Sequence, residues 1–272
     1  LPFHAQLQTI TDAAGLAECF VCVPSIPGYA VAGSGNRGAL MSEDFDLERH
    51  FQTMVAMVDA SLPLSPVPLE PELAEPRSFL KILKARHMDW RAPRCRKVFG
   101  MRFSVKIPAL DQMNFIMYPE PGYDAPIFLF FCLLTGRKLI AHVNVNCMFH
   151  DDAYAQKWVA PLLAARESYA SFDCDDRYPE WMLKWRTPAG IYGMLPKERF
   201  ADFMSCGRDY LRIYLDLLAR SEVVQDPARR AQIAAAHAQF VSDIRTQDKA
   251  QGMMAKMIGT EKARRIFHEV TT

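Results

Sequence analysis

Apolar positions fall first at helical spacing, then at strand spacing, then at helical spacing again. Leu47, Phe51, Met54, Val55 and Val58 form one stripe that predicts a helix over residues 42–60. Ser42 offers an N-cap, and Glu43 and Asp44 suit the positive end of the helix dipole. Prolines at 63, 66, 68, 71 and 76 then predict an extended connector, because proline disfavours helix at itself and at the residue before it. Strand-like runs follow over residues 79–83, 98–107, 113–118, 127–134 and 139–145. Pro119-Glu120-Pro121-Gly122 and Thr135-Gly136-Arg137-Lys138 separate the last three as short turns, which implies an antiparallel meander. The run 127–134 is apolar on both faces and reads as a central, covered strand.

After Phe149 the pattern is helical over 153–170, 196–221, 227–248 and 249–269. Strands first and helices later predict an α/β chain whose helices pack on a mainly antiparallel sheet, without dinucleotide-fold alternation. One domain over residues 1–272 is expected, with residues 1–40 irregular and rich in Gly, Pro and Ser.

Composition adds exclusions. Half of the 272 residues are hydrophobic and the net charge is +1, so no global field points to nucleic acid or a membrane surface. The longest unbroken apolar run, 125–134, is too short for a bilayer, which needs about 20 apolar residues. No signal-peptide pattern precedes the first periodic segment. Seven cysteines, mostly inside apolar runs, suit small buried hydrophobes in a reducing compartment.

Several local patterns invite chemistry. Gly33-Ser34-Gly35-Asn36-Arg37-Gly38 fits G-x-G-x-x-G, but no strand precedes it and no helix follows, so a loop is the better reading. Cys19-Phe20-Val21-Cys22 is one C-x-x-C without the second pair a zinc site needs. The seven histidines show no helical metal spacing, so no metal site is expected. His142 lies in a predicted strand and can face a pocket. Arg91, Arg94, Arg96 and Lys97 make one basic run, and Lys249, Lys256, Lys262, Arg264 and Arg265 a second basic region. Asp209 stands mid-helix beside the stripe Phe203, Tyr210, Leu211, Tyr214 and Leu218. It pairs with Arg212 if exposed, and donates a proton near neutrality if a closed pocket raises its pKa.

Three blocks carry a family likeness. They are Asn114-Phe115-Ile116-Met117-Tyr118-Pro119-Glu120-Pro121 running on to Phe128, the strand Leu139 to Asn146, and Gln247-Asp248-Lys249 running on to Phe267. Together they resemble the ferredoxin-dependent bilin reductases over roughly residues 45–270. The resemblance implies a three-layer α/β/α sandwich around a central antiparallel sheet. It implies binding of biliverdin or another bilin between the sheet and the C-terminal helices. It implies electrons from reduced ferredoxin with no tightly bound cofactor, and work in a plastid stroma or a bacterial cytoplasm.

By the same resemblance, Asp209 and Asn114 are the catalytic residues, and Phe131, His142, Asn144 and Tyr210 contact the substrate. Arg94, Arg96, Lys97, Lys249 and Lys256 would dock the acidic ferredoxin. Phe131 stands where the family has a sheet aspartate, Met101 near an upstream acid, and Asn144 where an aspartate is common, so the pocket is expected to be poor in acids. Two activities therefore follow from the resemblance: reduction of a linear tetrapyrrole, or a catalytically impaired relative that binds or helps assemble a bilin.

Overall fold

The computed structural model describes residues 45–78, 83–106, 109–136, 138–169, 172 and 178–272. The glycine-rich loop at 33–38, the Cys19/Cys22 pair, the proposed cap Ser42 and most of the run 79–83 lie outside the described residues. The first helix, α1 (Leu47–Ser61), is capped by Asp46, whose carboxylate accepts from the Arg49 N–H at 2.9 Å. It buries Leu47, Phe51, Met54 and Val58, so the stripe read from sequence is the packed face.

Seven strands follow as one sheet: β1 (Ser65–Pro66), β2 (Leu83–Ala92), β3 (Cys95–Val105), β4 (Leu110–Pro119), β5 (Ile127–Leu134), β6 (Lys138–Asn146) and β7 (Ile191–Pro196). Their spatial order is their chain order and every neighbouring pair is antiparallel. Short turns dictate the meander from β2 to β6, since a tight link can only return the chain beside itself, whereas β1 and β7 join it across longer connections that contain helices. Three strands differ from the expected set, the first being β1, two residues within the segment read as an extended connector. β2 occupies 83–92, where Lys84, Arg86 and Arg91 interrupt the apolar alternation. β7 is a six-residue strand in the gap between two expected helices, where no element was assigned. Pro93 and Arg94 turn β2 into β3, and Arg94 has φ 65°, a left-handed conformation that favours glycine.

A short helix α2 (Pro71–Ala74) precedes β2. After β6 come α3 (Asp152–Trp158) and α4 (Ala160–Glu167). They were expected as one helix, but Pro161 lacks an N–H to continue the ladder, and the chain breaks at Val159. Then come α5 (Phe200–Ala219), α6 (Pro227–Gln247), α7 (Ala250–Ile258) and α8 (Thr260–Arg265), with a final π-helical turn Ile266–Thr271. Gly259, at φ 95°, separates α7 from α8.

Alternation along the strands sends side chains to two layers. On one face Phe115 meets Phe51 of α1, and Phe130 stacks on Phe203 of α5 at 5.1 Å. Gly100 and Gly207 sit where these rings press closest. A Cβ at Gly100 would lie 2.6 Å from the Phe51 ring, and one at Gly207 would overlap Phe130. On the other face, Tyr118 packs against Phe240 of α6 and donates from its hydroxyl to the Thr271 carbonyl at 2.9 Å. Arg265 of α8 pairs with Glu70, Glu72 and Glu269, and Lys262 with Glu72, which ties the C-terminal helices to α2. The result is the three-layer sandwich that the resemblance implied.

Candidate functional site

Strand register sets one row of side chains across the sheet on the α6–α8 side: His87, Met101, Asn114, Phe131, His142 and Tyr192. The adjoining row is Asp89, Phe99, Ile116, Leu129 and Asn144. Between these rows and the C-terminal helices lies a cavity of about 60 Å³. Phe240 and Ile244 of α6, Met254 of α7, Phe267, and the 3-10 turn residues Trp181 and Met182 close it. Asp248 and His142 are its titratable lining side chains.

Asp248 sits at the junction of α6 and α7, as the residue that caps the end of α6. Its carboxylate accepts from the Ala250 N–H at 2.8 Å. Part of the residue remains exposed, but its carboxyl group is turned among apolar side chains. Loss of hydration pushes its pKa up to about 7, against the smaller lowering effect of the Ala250 N–H. His142 is 1% exposed, and its Nε2 lies 3.1 Å from the Tyr178 hydroxyl. Burial first, and the Arg186 charge second, lower its pKa to about 3, so the ring is neutral at pH 7.

Three lining residues carry buried polar atoms with no hydrogen-bond partner among the described residues: Asn114 Oδ1, His142 Nδ1 and Trp181 Nε1. Each such atom costs about 1–3 kcal/mol. Buried polar groups are paired in the great majority of cases, so three orphans around one cavity mark a place built for a polar molecule. Just outside the cavity, Lys97 and Asp89 form a buried ion pair at 2.7 Å. His87 is held through Nδ1 to the Leu73 carbonyl at 2.6 Å, and burial lowers its pKa to about 4.

The sequence-derived residues divide. Asn114, Phe131 and His142 come together at the cavity. Asn144 lies on the same sheet face, but its amide is committed to Asn146, the Trp185 carbonyl and Thr187 at 2.8–3.2 Å, so it braces the wall. Asp209 and Tyr210 are not brought there. They belong to α5, which packs on the opposite face. Asp209 binds Arg212 and the Tyr169 hydroxyl at the surface, and Tyr210 donates to the Ala189 carbonyl at 2.8 Å. Asp209 is therefore corrected from a pocket acid to a surface ion-pair member.

Lys97 is corrected as well, since its buried ammonium is spent on Asp89. Arg94 and Arg96 are half-buried, with guanidinium groups over the Tyr123 and Tyr118 rings at 5.6 and 4.8 Å. Lys249 and Lys256 are exposed and have no carboxylate partner among the described residues. Asp248 was within the C-terminal block of the resemblance yet had no role assigned. Its signal was an acid at a helix break between apolar Ile244 and Met253-Met254. The four described cysteines, 95, 132, 147 and 206, are free and buried. Among the described residues no group of His, Cys, Asp and Glu is placed to hold a metal, and no helix is long and apolar enough to cross a membrane.

Curated relatives include the phycoerythrobilin:ferredoxin oxidoreductase of Gloeobacter violaceus, 28% identical over 188 residues, covering 66% of this chain and 74% of that protein. The phycoerythrobilin:ferredoxin oxidoreductase of Nostoc punctiforme is 29% identical over 171 residues, 59% of this chain and 64% of its own. The 15,16-dihydrobiliverdin:ferredoxin oxidoreductase of the same organism is 25% identical over 166 residues, 57% and 65%. The matched part thus spans a little under two thirds of the two Nostoc proteins. The crystal structure of tomato phytochromobilin synthase in complex with biliverdin superposes with a TM-score of 0.75 at 17% identity, over 81% of this chain and 82% of that one, and shares the fold. The family model for ferredoxin-dependent bilin reductase matches residues 51–271, which takes in both sheet faces and every helix that closes the cavity. This chain belongs to the ferredoxin-dependent bilin reductases.

Proposed function

We propose that this protein reduces biliverdin or a related linear tetrapyrrole with electrons from reduced ferredoxin and protons from its own cavity. The observation that carries the reading is Asp248: a carboxyl poised near pH 7 at the edge of an apolar chamber with orphaned polar atoms. One-electron reduction of a bilin builds negative charge in a low-dielectric space, and a proton must follow. The acids absent at Phe131, Met101 and Asn144 are replaced by one from the helical layer. Asn114, with a free Oδ1, accepts from a pyrrole N–H or a bound water.

Ligand sites of this kind occupy about 300–1,000 Å³. Binding therefore displaces side chains of the closing layer, and Met182 and Met254 are the flexible ones there. Exposed Lys249, next to Asp248, and Lys256 offer cations for steering an acidic electron donor. The site of action we infer is one where ferredoxin is reduced, a bacterial cytoplasm or a plastid stroma; the relatives above are cyanobacterial or plant proteins.

Anaerobic incubation with biliverdin, ferredoxin and a reducing system, followed by absorption, tests the reading. Multiple turnovers are expected from the wild type. Asp248→Asn should bind the bilin, stall by a factor of about 10² or more, and accumulate a bilin radical. Binding with no turnover by the wild type would overturn reduction in favour of a bilin carrier.

A further inference from the structure

We propose that His142 and Tyr178 form a second proton route into the cavity, separate from Asp248. The proposal rests on the reductase reading and deepens it. Saturating one double bond takes two electrons, from two reduced ferredoxins, and two protons. Asp248 holds one proton at a time, and the cavity is roofed by α6, α7 and the C-terminal turn. A second donor on the sheet side removes the need to reload Asp248 between the two electron transfers.

The geometry is that of a relay. His142 stands beside Phe131 in the row that faces the cavity. Its Nδ1 is buried without a partner among the described residues, while its Nε2 meets the Tyr178 hydroxyl at 3.1 Å. Both side chains are buried, so the contact between them is shielded from bulk water. Edge contacts with Tyr178 and Tyr192, at 5.3 and 5.4 Å between ring centres, hold the imidazole plane. The Arg186 guanidinium lies 4.6 Å over the Tyr178 ring.

A neutral imidazole carries one N–H and one lone pair, and can pass a proton through without becoming an ion. In the step, Nδ1–H gives its proton to the reduced bilin while Nε2 takes the proton of the Tyr178 hydroxyl. The His142–bilin transfer breaks one N–H bond and forms one C–H or O–H bond on the bilin. The ring ends as the other tautomer and the phenolate, stabilised by Arg186, regains its proton from water. One bilin, two reduced ferredoxins and two protons thus yield one dihydrobilin and two oxidised ferredoxins. A lone wall histidine would be only a packed residue. The orphaned nitrogen on one side and the hydroxyl on the other make this one a conduit.

Tyr178→Phe removes the hydroxyl and keeps the ring under Arg186. In an anaerobic single-turnover experiment, radical formation should match the wild type, and radical decay should slow by about tenfold or more with a changed solvent deuterium effect. His142→Asn retains a donor near the Nδ1 position but cannot relay, and should slow the same phase. The bound-bilin spectrum and thermal midpoint of both variants establish that they fold and bind. Wild-type radical decay in Tyr178→Phe overturns the relay alone, because Asp248→Asn would still stall. Absence of turnover in the wild type overturns the reductase reading and the relay with it.

Discussion

The two faces of the sheet are built from the same strands and differ in what they leave unfinished. Opposite the cavity, Phe51, Phe115, Phe130 and Phe203 interlock, and two glycines let rings press onto backbone. On the cavity side, Asn114, His142 and Trp181 have buried polar atoms unpaired among the described residues, and Asp248 keeps a carboxyl away from water. Neighbouring residues make the contrast local. Phe130 is stacked in a filled core, and Phe131, one position on, lines a chamber. The difference teaches where this fold stores stability and where it gives stability up for chemistry.

The largest effect should separate those two rings. Phe130→Ala is expected to cost about 3–5 kcal/mol in urea unfolding, as large aromatic deletions in filled cores do. Phe131→Ala, beside space that already exists, should cost about 2 kcal/mol and shift the bound-bilin spectrum. Equal losses would erase the contrast between the faces.

Asp248 gives the next effect. Its folded pKa of about 7 lies above the unfolded value near 3.8. Between these the native state holds more protons, so stability falls as pH rises and the full penalty stands above pH 7. Asp248→Asn removes the penalty, and its gain in stability should be on the order of 2 kcal/mol larger at pH 8 than at pH 5. The same ionisation should lower wild-type turnover above about pH 7, where a proton donor is lost. A pH-independent effect of the variant on stability would place the carboxyl in water.

Gly207→Ala should follow, at about 1 kcal/mol net, because overlap with Phe130 outweighs the helix propensity of alanine. Asp209→Asn should change stability by less than about 1 kcal/mol and leave turnover unchanged, as for an exposed ion pair. Stalled turnover in Asp209→Asn would return that residue to the mechanism.

Much of the sheet was legible because Pro, Gly and Thr punctuate β4, β5 and β6. β2 was not, because its charged positions serve the sheet's outer edge, where Arg86 reaches Glu48. Asn114, Phe131 and His142 could be read as neighbours because antiparallel register follows from short turns. The face chosen by α5 could not. A stripe of Phe203, Tyr210, Leu211 and Tyr214 says that a helix is buried, and nothing in the stripe says against which side of a sheet. Asp248 was hidden for a related reason. A helix break marks a change of direction, and only the packed chain shows that the change points a carboxyl inward.

The neighbour-to-neighbour strand order has a kinetic consequence. Each hairpin from β2 to β6 closes a short loop, so that part of the sheet can zip together from contacts close in sequence. The chamber waits for contacts of another scale: Tyr118 to Thr271 spans 153 residues, and Glu70 to Arg265 spans 195. Long loop closure is the entropically slow kind. The surface that receives the tetrapyrrole is therefore expected to mature last during folding and to exchange its amide hydrogens first.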